Sequence, residues 1–128
     1  MEITVGLKGE ASTLVERADT AQEVGSGSLL VYATPCMVAL MEGAACNALE
    51  GVLTEDKTSV GIELSINHIA ATPVGMEVRA EAEITAVEKN ILTYAVTAYD
   101  ESGKIGEGTH KRAVITAQKF LDKVYAKL

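Results

Sequence analysis

Apolar residues recur with a period of two through most of the second half of the chain. In residues 58–70 and 76–87, an apolar residue stands at nearly every second position, with polar residues between. This alternation is typical of strands that bury one face of a sheet. Two further strand-like segments, residues 91–100 and 104–116, follow after short polar turns. The pattern predicts four consecutive strands of an antiparallel sheet with one solvated face.

The first two of these strands each present one face to the predicted core. The inward face of the first comprises Val60, Ile62, Leu64, Ile66, His68 and Ala70. The inward face of the second comprises Met76, Val78, Ala80, Ala82, Ile84 and Ala86.

The period changes to three and four residues over residues 34–51, which predicts an α-helix. Thr34 is suited to cap its first turn, with Pro35 at the first helical position. Glu42 is the only charged residue between Val31 and Leu49. Because nearly every face of this helix is apolar, we predict an almost wholly buried central helix wrapped by the sheet.

The two ends of the chain are less regular. Residues 3–16 predict a strand interrupted at residues 8–10, and the polar residues 19–28 suit a mobile cover loop. Residues 117–128 predict a short amphipathic helix with a solvated row of lysines. Its apolar face, expected to point inward, comprises Phe120, Leu121, Val124, Tyr125 and Leu128. The predicted fold class is α+β, as one domain over residues 1–128.

Composition narrows the range of functions. The chain of 128 residues has a formal net charge of -7, which repels nucleic-acid phosphates. No apolar run reaches the roughly 20 residues that span a bilayer, and the first ten residues lack a signal-peptide pattern. We expect a cytoplasmic protein with neither nucleic acid nor a membrane as partner.

The spacing of cysteine and histidine argues against a metal or nucleotide cofactor. Cys36 and Cys46 match neither a redox pair nor a zinc site, so both are expected to be reduced packing residues. His68, His110 and Glu42 complete no metal-ligand pattern with them. The glycine pairs lack the third glycine of a dinucleotide fingerprint.

Three residues are candidates for chemistry. No basic residue stands three or four positions from Glu42, so no neighbour on the helix can pair with it. Burial is then expected to raise its proton affinity, which would suit it as a base or nucleophile. The alternative is that Glu42 lies on a narrow, solvent-exposed strip of the helix. His68 can protonate a leaving group or steer a water, or serve as a satisfied core histidine. Thr34 can bind an oxyanion or water at the helix N-terminus, although capping alone accounts for it.

One face of the last strand carries Gly106, Gly108, His110 and Arg112. The glycines permit close approach of another chain segment or of a ligand. Lys111 and Arg112 can contact a phosphate, or remain ordinary strand residues.

Three stretches together resemble the fluoroacetyl-CoA thioesterase-like hotdog proteins. They are YATPCMVALME at residues 32–42, NHIAATPVG at residues 67–75 and IGEGTHKRAVI at residues 105–115. The resemblance runs over residues 31–120, in order and with matching separations.

The resemblance implies a hotdog fold, in which a long central helix is wrapped by an antiparallel sheet of five to six strands. It implies a homodimer with active sites at the interface, and leaves pairing into tetramers open. It places Thr34, Glu42 and His68 on the family's catalytic triad, Gly61 on a glycine whose backbone N–H contributes to the site from the partner subunit, and Arg112 near the pocket. The family's aromatic lid is replaced here by Val-Gly-Ser-Gly-Ser-Leu-Leu at residues 24–30.

The function expected from these observations is hydrolysis of a small acyl-CoA thioester to the free acid and CoA. CoA enters as part of the substrate, and no separate cofactor is expected. The altered lid segment predicts an acyl preference that differs from, or is broader than, fluoroacetyl. The alternatives are a non-catalytic module that binds acyl-CoA or another small ligand, and a hotdog hydratase or dehydratase.

Overall fold

The structure, a computed structural model, describes residues 2–128. In that range the strands are β1 (Lys8–Leu14), β2 (Lys57–His68), β3 (Glu77–Glu88), β4 (Ile91–Asp100) and β5 (Gly103–Thr116). The helices are α1 (Ala21–Val24), α2 (Thr34–Ala48) and α3 (Ala117–Tyr125), and a 3-10 turn spans Arg17–Asp19. Every predicted long helix and strand is present, with ends that shift by a few residues.

The strands form one antiparallel sheet in the order β1-β3-β4-β5-β2. Helix α2 lies across it and packs mainly against β1 and β3. The side chains that fill the space between them include Met37, Met41, Ile84, Leu92 and Tyr94, all fully buried. This is the predicted hotdog arrangement, with five strands.

Helix α2 is less buried than the sequence suggested. Met37, Met41, Ala44, Ala45 and Ala48 are buried against the sheet. The opposite side is open, because the sheet covers one side of the helix only. That open side includes Thr34, Pro35, Ala39 and Cys46. The prediction of an almost wholly buried helix is therefore wrong for the single chain.

The predicted inward face of β2 is correct only from Leu64 to His68, since Ala70 lies beyond the end of the strand and is exposed. The register with β5 shifts between Gly61 and Glu63, which marks a β-bulge at Ile62. A bulge inserts one residue and so reverses the alternation. Gly61, not Ile62, faces α2, and the Ile62 side chain is 52% exposed.

The predicted inward face of β3 is confirmed from Val78 to Ile84, where the alternate residues are buried. A second bulge, between Ile84 and Ala86, ends the alternation, and Ala86 is exposed. The alternation thus breaks at the bulges, where an extra residue changes the direction of the side chains that follow.

Residues 8–10 do not interrupt the first strand but begin it. Gly9 lies against the backbone of α2, and a Cβ at this position would overlap the Ala44 carbonyl and the Ala48 amide. The glycine therefore permits close packing of β1 on the helix. The stretch predicted as a cover loop contains the 3-10 turn and α1.

Helix α3 forms as predicted but does not bury its apolar face. Phe120, Leu121 and Val124 are each about 40% exposed, and Tyr125 more so. The helix leaves the end of β5 and contacts little else of the molecule. Among residues 2–128, no helix is long and apolar enough to cross a membrane.

Candidate active site

Thr34 begins α2 and does not cap it. The N-cap position is taken by Ala33, and no side chain in the described part of the chain caps this helix. The threonine hydroxyl is therefore not used for capping, and it lies 2.7 Å from Nδ1 of His68. The predicted capping role is wrong, because the helix starts at Thr34 itself, one residue earlier than a threonine N-cap would require.

His68 is the last residue of β2, and the sheet brings it to the start of α2. Its Nε2 atom is buried and has no hydrogen-bond partner among residues 2–128. Burial lowers the pKa of His68 below its usual value of 6.5, and the neighbouring Ala70 backbone opposes this shift. The imidazole is thus predominantly neutral near pH 7, with one ring nitrogen in contact with Thr34 and the other unused.

The first turn of α2 offers fewer free amides than a typical helix N-terminus. Pro35 has no N–H, and the N–H groups of Cys36 and Met37 both donate to the Ala33 carbonyl. The Thr34 amide remains as the first-turn donor that these contacts leave open. An oxyanion at this point would meet one amide and one hydroxyl from the same residue.

A cavity of about 290 Å³ opens beside the Thr34–His68 pair. Its walls come from α1, the start of α2 and the segment after β2; they comprise Ala21, Ser26, Val31, Tyr32, Thr34, His68, Ile69, Ala70 and Ala71. The segment predicted as a cover loop therefore contributes one wall. A larger open cleft, of about 590 Å³, lies on the outer face of β1, β3 and β4, and none of the candidate residues lines it.

Glu42 lies two helical turns beyond Thr34, about 12 Å along the axis at 1.5 Å per residue. Its Oε2 atom accepts a hydrogen bond of 3.3 Å from Arg112 NH1, and its side chain is 40% exposed. The sequence predicted a carboxylate without a counter-charge, and this is wrong. The cation comes from β5, which local spacing along the helix does not reveal.

Gly61 allows Glu42 to approach the sheet. A Cβ at Gly61 would lie 2.5 Å from Glu42 Oε2, 3.2 Å from His110 Cε1 and 3.4 Å from Arg112 NH1. Real Cβ contacts are longer than the first of these distances, so a side chain here must displace the carboxylate.

Arg112 is 6% exposed and makes four hydrogen bonds. Its Nε and NH2 donate to the side chain and the carbonyl of Ser59, at 2.8 and 3.0 Å. Its NH1 contacts both Glu42 and Nε2 of His110, the latter at 3.1 Å. His110 belongs to this cluster, although the sequence analysis gave it no role; its inward position opposite Leu64 in β5 was the available signal.

Gly106 and Gly108 of β5 serve packing. A Cβ at Gly106 would lie 2.6 Å from the sulfur of Met37, and one at Gly108 would overlap the backbone of Ser65. Close approach of other chain segments, one of the two predicted explanations, accounts for both.

The structure thus brings the candidate residues together as two groups and not as one. Thr34 and His68 meet at the start of α2, whereas Glu42, Gly61 and Arg112 meet near its middle. The face of α2 between them is open. Within residues 2–128, no three or more His, Cys, Asp or Glu side chains are grouped so that they can hold a metal ion.

The fold is that of the hotdog thioesterases, and comparison with known proteins agrees. A family model described as fluoroacetyl-CoA-specific thioesterase matches residues 15–118. The fluoroacetyl-CoA thioesterase of Streptantibioticus cattleyicolor is 43% identical over 97 residues, which cover 76% of this chain and 70% of that protein. The chain belongs to the fluoroacetyl-CoA-specific thioesterase family.

Solved structures give the same assignment. The structure of the fluoroacetyl-CoA thioesterase FlK matches with a TM-score of 0.93 and 34% identity, covering 100% of this chain and 99% of that one. A variant of FlK in complex with acetyl-CoA matches with a TM-score of 0.92 and 35% identity, over 98% of each chain. The predicted family, fold and enzyme class, a thioester hydrolase, are confirmed.

Proposed function

We propose that this protein hydrolyses a small acyl-CoA thioester at a site formed by Thr34, His68 and Glu42. The observation that carries the proposal is the 2.7 Å contact between the Thr34 hydroxyl and a neutral imidazole whose second nitrogen is free. The pair lines a cavity at a helix N-terminus. The acetyl-CoA complex of a FlK variant supports a short acyl-CoA as the ligand.

The thioester carbonyl is proposed to lie at the start of α2. There the amide and hydroxyl of Thr34 donate to the oxygen as it becomes negative, an interaction that strengthens in the transition state. The partial positive charge of the helix N-terminus acts in the same direction.

Glu42 is proposed to take a proton from a water that adds to the carbonyl carbon. Because Glu42 lies about 12 Å beyond Thr34 along α2, the carbonyl and the water are proposed to occupy the open face of the helix between the two groups. The carbon–sulfur bond then breaks, and the proton that Glu42 took from the water passes through His68 to the thiolate, which leaves as CoA thiol. The products are one carboxylic acid and one CoA. Attack by Glu42 itself, followed by hydrolysis of the anhydride, gives the same products.

We propose that a second copy of the chain covers the open face of α2, since the site extends along it. Strand β2 is an edge strand, because β5 is its only paired neighbour in residues 2–128. An unpaired edge of 12 residues is a template for pairing with another chain. Sedimentation is expected to give twice the chain mass of 13.5 kDa; full activity at the mass of one chain would contradict this arrangement.

The acyl preference is proposed to differ from that of a fluoroacetyl-selective enzyme. Residues 24–30 contain no aromatic side chain and contribute Ser26 to the cavity lining, whose residues Ala21, Ala70 and Ala71 are also small. Tyr32 also lines the cavity. Small side chains at these other positions discriminate weakly between short acyl groups, because one methylene changes binding by only about 1–3 kcal/mol.

The test is thiol release from a panel of short and aromatic acyl-CoAs, with Glu42→Gln and the matched variant Glu50→Gln. Glu50 is exposed beyond the end of α2 and lies outside both residue groups. We expect CoA release by the native chain and by Glu50→Gln, and a loss of about 10²- to 10⁴-fold in Glu42→Gln.

Two outcomes would overturn the proposal. Binding of acyl-CoA without thiol release would indicate a binding module, and a changed acyl double bond would indicate a hydratase. Native turnover by Glu42→Gln would remove Glu42 from the mechanism.

A further inference from the structure

His110 is a buried titratable group for which the proposed mechanism has no use. It is 1% exposed, and its ring stacks on that of Tyr94 at a centroid distance of 6.0 Å. Its Nδ1 lies 2.8 Å from the Glu63 carbonyl, and its Nε2 lies 3.1 Å from Arg112 NH1. Both ring nitrogens are therefore engaged by the protein.

These two contacts determine the tautomer of His110. A carbonyl oxygen only accepts hydrogen bonds, and a guanidinium only donates them. Nδ1 must therefore carry the proton and donate to Glu63, and Nε2 must accept from Arg112. The ring is neutral, so its 3.8 Å approach to Glu42 Oε2 is not an ion pair.

The same contacts fix the orientation of the Arg112 guanidinium. Ser59 holds Nε and NH2 on one side of the guanidinium, and His110 accepts from NH1 on the other. NH1 then directs its second proton to Glu42. A planar guanidinium held at three nitrogens has little freedom to turn.

We propose that His110 is a positioning residue that aligns the Glu42 carboxylate through Arg112. This inference rests on the proposed function, in which Glu42 meets the reacting atoms. His110 cannot meet them itself, because it is buried and both ring nitrogens are occupied. Loss of the acceptor at Nε2 releases NH1, and the carboxylate loses its fixed direction.

Two substitutions separate the two ring nitrogens. His110→Asn can keep a donor near Nδ1 for the Glu63 carbonyl but loses the acceptor at Nε2. His110→Gln can place an amide oxygen near Nε2 and keep the acceptor for Arg112. We expect His110→Asn to lower kcat about 10-fold or more, the effect of losing a hydrogen bond to a charged group, with KM changed less than about twofold. His110→Gln should retain kcat within about threefold.

A double-mutant cycle tests whether the effect passes through Arg112. In an Arg112→Lys background the guanidinium is absent, so His110→Asn should cause no further loss of kcat. Equal losses in the Asn and Gln variants, or a full additional loss in the Lys background, would overturn the proposal.

The failures of this inference and of the proposed function are distinguishable. If Glu42→Gln is inactive but His110→Asn keeps native kcat, only the positioning role fails. If no acyl-CoA releases thiol, the proposed function fails; if Glu42→Gln is fully active, Glu42 leaves the mechanism, and the role of His110 in catalysis fails with it.

A spectroscopic measurement tests the network without activity and without a change at His110. The chain has two histidines, so His68→Asn leaves His110 as the only one. Its ¹⁵N spectrum should show a protonated Nδ1 and an unprotonated Nε2 at neutral pH. A protonated Nε2 would overturn the assignment.

Discussion

The polar groups at the two ends of the open face of α2 differ in how many of their hydrogen-bonding atoms have a partner. At the start of the helix, within residues 2–128, the Thr34 hydroxyl has one partner and the buried Nε2 of His68 has none. Near its middle, Arg112 and His110 are buried, and their hydrogen bonds connect Ser59, Glu63 and Glu42. The group at the start of α2 can therefore still form hydrogen bonds with a ligand, whereas the group near its middle has almost no hydrogen-bonding atoms left to offer.

This difference separates a reactive group from a supporting one. A buried polar atom without a partner costs free energy, and it is retained where a ligand or a reaction uses it. A fully bonded network is rigid and fixes the direction of its members. The four predictions that follow test this contrast, from the largest expected effect to the smallest.

The free nitrogen of His68 should carry the largest effect. His68→Asn can keep a contact to Thr34 near Nδ1 but removes Nε2, so kcat should fall about 10²- to 10⁴-fold. His68→Gln, which places an amide near Nε2 but cannot exchange a proton, should not restore the rate. Native turnover by His68→Asn in a thiol-release assay would show that the free nitrogen is idle.

Gly61→Ala should disturb the supporting group next. The new methyl must displace the Glu42 carboxylate, and a misplacement of about 1 Å can cost about 10²-fold in rate. Gly43→Ala is the matched control, since its methyl would meet only the Ala11 methyl at 3.9 Å. An unchanged kcat in Gly61→Ala would mean that the carboxylate need not stay where it is.

Thr34→Val tests whether the hydroxyl serves chemistry or helix stability. The hydroxyl caps no amide, so thermal unfolding should be nearly unchanged while kcat falls about 10-fold from the lost hydrogen bond. Thr34→Ser keeps the hydroxyl and should retain most of the rate. A loss of about 1 kcal/mol in stability with native kcat would instead indicate capping.

The smallest expected effect is on the pH dependence of the free energy of unfolding. Burial holds the pKa of His68 in the folded chain below its ordinary 6.5, so between these two values the unfolded chain binds more protons. The free energy of unfolding should therefore rise with pH in that window, level off above about pH 6.5, and fall on acidification. Denaturant titrations from pH 5 to 8 should show that the free energy of unfolding rises less steeply with pH in His68→Gln than in the native chain. An equal slope in the two proteins would show that protonation of another group causes the pH dependence.

Several parts of the fold could be predicted because they depend on short-range patterns. Alternation in β3 and the three- and four-residue spacing in α2 reflect which face of each element is apolar, and the structure keeps both. The pattern missed the bulge at Ile62, because the alternation of apolar residues continues through it in the sequence. It also assigned an inward face to α3, although amphipathicity does not ensure a surface for the helix to cover.

The sequence by itself determined the order of elements, the family and the candidates Thr34, Glu42 and His68, because these follow from local spacing and shared motifs. Only the tertiary structure decided their partners. Pairing of β2 with β5 brings Arg112 and His110 to Glu42, and the end of β2 brings His68 to Thr34. Those contacts join residues 34 to 70 positions apart in the sequence. The local pattern of a helix or strand does not show which distant element packs against it.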